Sequence, residues 1–539
     1  TRRCRGETPL RQKPLPPLSR RVVAPTIAAV PLWEGRLAPT GPAGAAPLEP
    51  AVNAPDTLLT VDNLTVSYRA RPVLRGLSLT IHRGEQWAVL GPNGAGKTTL
   101  ARVLAGELGH YTGTVERTDT LAHHGIAYVC FERARALADR DRKLDVSEFS
   151  ADARDPGTRV RDLLPAAADR EHWVELLGLS PLLDRGLRYL STGEMRKTLL
   201  ASAILARPGL LILDSPLDGL DAASQQRLHA ALDVLLASDQ PVLLLARDPA
   251  DIPAAINRVL LLDAGRVAAA GERDALLAAA ETNDLMLPPL PPLGDLPPPP
   301  PGAPRAPGDA PLIALRDVAV SFDDTAVLSG VHWTFDHGQH CAIAGPNGCG
   351  KSTLLGLITG DNHKAYGQDV TLFGRRRGSG ESVWDIKRHF GQVDTQLQLT
   401  FARGMRVVEV VTSGFFDSVG LYDDWGDSQR TLAEAWLQAL ALGDLGSARF
   451  DDLSFGLQRM VLLARAMVKG PKVLVLDEPN LGLDAWHRRL LLRAIDHVAA
   501  GSDTQLLFVS HSAGDRPACI NQRVDFVPGD GAFTVNVSG

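Results

Sequence analysis

The chain has 539 residues, 45% of them hydrophobic and 22% charged, with a formal net charge of −6. This is the composition of a folded globular protein longer than one domain, and its acidic balance argues against general electrostatic attraction to nucleic acid or lipid. No apolar run reaches the ~18 residues that span a bilayer, so any membrane part is expected on another chain.

Residues 1–56 are rich in Pro, Ala and Arg and poor in acids, and read as a disordered or targeting extension. Residues 57–66 read as a strand with Tyr68 after it, and residues 73–81 as a second. The apolar run Gln86–Leu90 then leads into Gly91-Pro-Asn-Gly-Ala-Gly-Lys-Thr98. Strand, glycine-rich turn and helix start, with G-x-x-x-x-G-K-[ST] inside, is the phosphate-binding loop. Gly91, Gly94 and Gly96 allow the backbone to turn its N–H groups, that of Asn93 included, toward phosphate oxygens. Lys97 brings a positive charge to the β/γ-phosphates, the Thr98 hydroxyl is placed for Mg²⁺, and Thr99 opens the helix. A glycine-rich turn that binds nothing is the bland alternative; all the fixed positions being present speaks against it.

Between Arg133 and Arg188 the character becomes helical and charged. Leu210–Leu213 and Val242–Leu245 read as short buried strands, the first ending in Asp214. Residues 285–310 contain five consecutive prolines, Pro297–Pro301, and read as an extended spacer with nothing to pack against; an SH3-type ligand is the other reading. The domain boundaries expected are 1–56 extension, 57–279 first nucleotide-binding domain, 280–310 Pro-rich linker and 311–539 second nucleotide-binding domain.

The second domain repeats the first. After Cys341–Ala344 comes Gly345-Pro-Asn-Gly-Cys-Gly-Lys-Ser352, then Thr353. Gly345, Asn347, Gly348, Gly350, Lys351, Ser352 and Thr353 take the roles of their counterparts. The lysines are 254 residues apart (351 − 97), whereas Ser191 and Ser454, Asp214 and Asp477, and Asp221 and Asp484 are each 263 apart (454 − 191, 477 − 214, 484 − 221). Asp214 and Asp477, at strand ends, are candidates for the Mg²⁺ shell. Glu478 beside Asp477 can orient or deprotonate the attacking water, and His511 can contact the γ-phosphate. Five scattered cysteines read as reduced apolar residues. Arg375-Arg376-Arg377 reads as a solvated charged loop, contact with phosphate or RNA being the alternative.

In combination these motifs resemble ABC-type ATPases. Leu190-Ser-Thr-Gly-Glu194 and Leu453-Ser-Phe-Gly-Leu457 look like the signature Leu-Ser-Gly-Gly-Gln, Asp221 and Asp484 like the D-loop, and Tyr68 and Phe322 like the aromatic stacked on adenine. A closer resemblance is to ModF-type proteins, tandem ATP-binding chains associated by name with molybdate transport or photorepair. It is carried by Tyr189–Leu200, Thr371–Glu381, Trp384–Lys387 and Gln505–His511.

The resemblance implies an α/β fold of two P-loop NTPase domains, each with a mostly parallel core sheet, an antiparallel β part and a helical insert. The two would pair head to tail, each ATP lying with Mg²⁺ between one phosphate loop and the opposite signature, where Ser191 and Gly193 or Ser454 and Gly456 meet the γ-phosphate. It implies a cytoplasmic ATPase, at most peripheral at a membrane, that energises a permease for molybdate or another oxyanion; a soluble switch acting on RNA, ribosomes or a cytosolic complex is the alternative. The departures from the family pattern are uneven. Ser215 stands where Glu is usual and Arg247 where the switch His is usual, while Phe131 with Glu132 beside it replaces a Gln. In the second copy that Gln falls at Thr395 or Gln396, and Leu457 closes the signature in place of Gln. One hydrolytic and one degenerate site are therefore expected.

Overall fold

The computed structural model describes residues 57–539, except 69–70, 131–136, 138–139, 142–156, 218–221, 305–307, 309, 323–324, 402–403, 422–424, 511–515 and 530. The expected extension, and Phe131, Glu132, Asp221 and His511, lie outside the described residues.

In the first half the strands are β1 (Thr57–Tyr68), β2 (Arg71–His82), β3 (Trp87–Leu90), β4 (Thr112–Arg117), β5 (Ile126–Val129), β6 (Leu210–Asp214), β7 (Val242–Ala246), β8 (Arg258–Asp263) and β9 (Arg266–Glu272). They make an antiparallel sheet β2-β1-β4 and a sheet β5-β6-β7-β3-β8-β9, parallel except for β9. The second half has β10 (Ile313–Phe322), β11 (Thr325–Phe335), β12 (Cys341–Ala344), β13 (Asp369–Leu372), β14 (Arg375–Arg376), β15 (Phe390–Val393), β16 (Val473–Asp477), β17 (Gln505–Val509), β18 (Gln522–Pro528) and β19 (Phe533–Ser538). Its parallel run β15-β16-β17-β12-β18, closed by antiparallel β19, repeats the first half strand for strand. One pair, Leu328 with Phe533, joins it to the antiparallel strands β10, β11, β13 and β14. The α/β class is as expected.

The parallel strands are apolar end to end because helices cover both faces of such a sheet. Every residue of β3 and β7 is buried. β3 and β12 sit inside their sheets, between β7 and β8 or between β17 and β18, so each phosphate loop emerges from the carboxyl end of a central strand. Ligand crevices of open α/β sheets form at those ends.

The proline-rich segment corrects the sequence reading, because it has much to pack against. Ala280–Met286 is helical. Beyond it, Leu290, Leu293 and Leu296 pack onto the core of the second half. Trp486 Nε1 donates to Pro288 O at 2.9 Å, Arg493 Nη1 to Pro291 O at 3.4 Å, and His497 Nε2 bonds Gly294 O at 2.8 Å. The three leucines and the three carbonyls each recur every third residue, which is the period of a polyproline helix and places each set on one side. At ~3.1 Å per residue the eight steps from Pro288 to Leu296 cover about 25 Å, close to the roughly 22 Å of helix from Trp486 to Gly501. The segment straps the helix Ala485–Gly501. Each half-buried leucine is worth about 1 kcal/mol, so changing all three to Ser should cost roughly 3 kcal/mol. Chemical denaturation of the full chain checks this; an unchanged midpoint would restore the inert-spacer reading.

Arg377 is the second correction. Arg375 and Arg376 are exposed, but Arg377 is buried, with Nη1 2.9 Å from Glu381 Oε1 and its guanidinium over the Tyr366 ring. Glu381 also accepts the N–H groups of Gly378 and Ser379, so this member of the triplet closes a turn.

Candidate nucleotide sites

Both phosphate loops take the same shape. Gly96 and Gly350 have φ of 102° and 103° and cap the helices Lys97–Leu104 and Lys351–Thr359. Side chains disfavour that left-handed region, and a methyl at either position would come within 2.6 Å of Leu74 Cδ2 or 2.8 Å of Leu328 Cδ2. The turn folds each lysine back over its loop. Lys97 Nζ donates to Gly91 O at 2.7 Å and Pro92 O at 3.0 Å, and Lys351 Nζ to Gly345 O at 2.9 Å and Pro346 O at 2.8 Å. Neither helix has an acidic residue in its first turn, so the positive end of the helix dipole is unopposed.

In the first half Thr98 Oγ1 donates to Asp214 Oδ2 at 2.8 Å. Tyr128 OH, from β5, donates to the same oxygen at 3.0 Å, and Ser215 Oγ to Asp214 Oδ1 at 3.3 Å. Burial and then the Asp214 charge push the Tyr128 phenol far above its usual range, so it remains a proton donor. A hydroxyl against a carboxylate at the mouth of a phosphate loop is an all-oxygen donor set that fits Mg²⁺. Ser352 is exposed at the start of its helix, and Asp477 is half-buried at the end of β16. The strand pairings β5–β6 and β15–β16 put Gln392 where Tyr128 stands.

The residues that follow the two aspartates are backbone equivalents. Ser215 has φ 47° and Glu478 φ 49°, left-handed values uncommon for residues with side chains. Ser215 N–H donates to Leu245 O at 3.1 Å and Glu478 N–H to Val509 O at 3.0 Å, the matching bond to the next strand. Ser215 therefore occupies the place of the carboxylate rather than lying near it. The same register makes Val393 the counterpart of Val129, and Thr395 stands two residues beyond it. Thr395 Oγ1 accepts from Arg459 Nη2 at 3.0 Å. Gln398, which sequence reasoning missed, donates to Phe455 O and Gln458 Oε1 of the signature helix.

Both signature serines are helix N-caps. Ser454 Oγ accepts the Leu457 N–H at 3.3 Å and Ser191 Oγ the Glu194 N–H at 3.3 Å. Glu194 returns the bond to Ser191 N–H at 2.7 Å, so the departure from Gln leaves a capping box intact. Gly193 and Gly456 lie in the first turns of these two helices. Tyr68 and Phe322, ending β1 and β10, are each 42% exposed, open for stacking, with Lys364 Nζ 5.0 Å from the Phe322 ring centroid.

The second half reaches across to the first phosphate loop. Asn93 N–H donates to Asp484 Oδ2 at 2.8 Å and Asn93 Nδ2 to Gly482 O at 3.2 Å. Arg488 pairs with Asp248 at 3.3 Å, and Gly482 lies beside Phe455 and Arg247. Burial alone would raise the Asp484 carboxyl; bonds from His487 and from the Asn93 N–H outweigh it and hold the group down at about 2.

A sequence profile described as ABC transporter matches residues 74–218 and 328–481. The chain belongs to this family. It carries two ABC domains, and it is 41% identical to the ABC transporter ATP-binding protein ModF of Escherichia coli, over 84% of this chain and 94% of that protein. An uncharacterised ABC transporter ATP-binding protein of Schizosaccharomyces pombe is 26% identical over the same shares of the two chains. Among solved structures, the archaeal ribosome recycling factor aABCE1, crystallised with the ribosomal stalk protein aP1, superposes with a TM-score of 0.56 at 18% identity, over 88% of this chain and 89% of that one. That likeness concerns the ABC fold alone. No helix among the described residues is long and apolar enough to cross a membrane.

Proposed function

We propose that this ABC protein binds two ATP molecules between its domains, hydrolyses one, retains the other, and uses domain closure as its output. The observation that carries the reading is Ser215 in the backbone position of Glu478. The contacts of Asp484 and Gly482 with Asn93 support head-to-tail pairing. One site then joins Lys97, Thr98 and Asp214 to Ser454 and Gly456. The other joins Lys351, Ser352, Asp477, Glu478 and His511 to Ser191 and Gly193. Thr98 with Asp214, and Ser352 with Asp477, would hold Mg²⁺, which when bound neutralises phosphate charge. Lys97 and Lys351 reach the β/γ-phosphates, and Glu478 orients and deprotonates the attacking water. Serine cannot serve as that base near neutral pH, so the first site keeps its nucleotide.

Single-turnover hydrolysis with both sites loaded tests this. One phosphate per chain should be released promptly, with one nucleotide recovered as ATP; two phosphates at similar rates would overturn the asymmetry. For the output we favour a transporter whose permease is a separate chain, with molybdate or another oxyanion as cargo. The naming of the 41% identical relative as a transporter ATP-binding protein supports it. Affinity purification from native membranes and cytosol is the check: a co-purifying permease supports this reading, and a ribosome would move it to the soluble switch.

A further inference from the structure

Behind the signature serine of the second half lies a buried histidine, His487, that the nucleotide reading does not use. Ser454 Oγ is 3.2 Å from His487 Nε2. His487 Nδ1 is 2.8 Å from each Asp484 oxygen, and Asp484 Oδ2 accepts the Asn93 N–H of the first phosphate loop. His487 and Asp484 are 8% and 1% exposed. A methyl on Gly456 would fall 2.2 Å from His487 Cγ, so the imidazole fills the space that this signature glycine leaves.

The proton positions follow from the partners. Ionised Asp484 only accepts, so Nδ1 carries a hydrogen. In the neutral ring Nε2 is then an acceptor, and it takes the Ser454 hydroxyl proton. The same oxygen already accepts the Leu457 N–H. Ser454 thus has no proton left for a phosphate oxygen. If the hydroxyl turned its proton toward a phosphate, two lone pairs would face each other between Oγ and Nε2. A proton from solvent on Nε2 removes that conflict: Nε2–H donates to Oγ, and Oγ–H donates to the phosphate.

We propose that His487 is a positioning residue for Ser454, and that nucleotide binding at the first phosphate loop is coupled to uptake of one proton by His487. The proposal rests on the reading that Ser454 faces nucleotide there. Because nucleotide and proton favour each other, affinity rises as pH falls. Asp484, Arg488 and Arg489 lie at the start of the ring's own helix and Arg459 on the signature helix whose first turn meets the ring; from the first half, Asp248 pairs with Arg488 and Arg247 lies beside Gly482. Of these, Asp484 bonds the ring.

The test is calorimetry of the full chain carrying Lys351→Ala, which silences the other site, titrated with a non-hydrolysable ATP analogue and Mg²⁺ in buffers of different ionisation heat. Net proton uptake is expected, with affinity gaining up to about ten-fold per pH unit, the limit for one linked proton. Adding His487→Gln, which keeps a donor beside Ser454 but cannot titrate, should abolish both uptake and slope. Ser454→Ala should do the same and serves if the glutamine variant does not fold. A merely structural histidine would leave the pH slope untouched. Binding without uptake, or uptake that persists in both variants, overturns the proposal alone. No binding to the Lys351→Ala protein would overturn the retained-nucleotide reading and this proposal with it.

Discussion

Replacing Glu478 with glutamine is expected to cut steady-state ATP turnover by ~10²–10⁴-fold while ATP binding persists, because a positioned acid or base contributes about that factor. The substitution keeps size and hydrogen-bonding reach and removes only basicity. The left-handed backbone at φ 49° is set by the strand end and the N–H bond to Val509, so the side chain should keep its place. Phosphate release and equilibrium nucleotide binding, measured on the same preparation, separate the two effects. Wild-type turnover in the glutamine variant would show that another group activates water. Turnover lost together with binding would point to a collapsed loop rather than a missing base.

Asp484→Ala should both destabilise the protein and loosen the second half from the first phosphate loop. The carboxylate caps the helix Ala485–Gly501 through the His487 N–H, holds the His487 ring and accepts the Asn93 N–H, all at 2.8 Å. A lost cap costs about 1 kcal/mol, and each buried donor left unmatched costs about 1–3 kcal/mol more. A total of roughly 3 kcal/mol is expected in denaturation, with weaker ATP binding at the first site. The acid side supplies a second readout. The folded-state carboxyl lies at about 2, below its ordinary 3.8. A depressed carboxyl contributes stability that is fully present above the unfolded value and is lost as pH falls through the folded one. At about 1.4 kcal/mol per unit, wild type should lose roughly 2 kcal/mol between pH 4 and 2 that Asp484→Asn does not lose. Identical acid profiles for the two proteins would show that Asp484 is not held as an ionised acceptor.

The residues themselves carried the repeat, both phosphate loops, the strand-end aspartates and the uneven carboxylate. Each is a local matter: glycine turns, a lysine seven positions into a loop, an acid closing an apolar run. Such features depend on near neighbours in the chain, so spacing alone reveals them. The proline-rich segment was misread for the opposite reason. Its three-residue leucine repeat is visible at 290, 293 and 296, but the face it covers belongs to a helix about 200 residues later, and a polyproline stretch has no internal bonds to announce a partner. Arg377 shows its ion-pair partner four residues on, yet only the turn after β14 decides that this arginine of the three is buried.

What the sequence by itself determined is the set of groups on offer: two phosphate-binding loops, one followed by an Asp-Glu pair, Asp477-Glu478, and the other by Asp214-Ser215. What only the tertiary structure decided is which groups share a site. Strand register made Ser215 the counterpart of Glu478 and Gln392 that of Tyr128. The fold brought Tyr128 onto Asp214, and His487 between Ser454 and an aspartate bonded to the other half of the chain. The bonds of Ser454 to His487, Tyr128 to Asp214 and Asn93 to Asp484 join residues 33, 86 and 391 positions apart. Hydrogen bonds form by distance in space, and no periodicity along the chain encodes that distance.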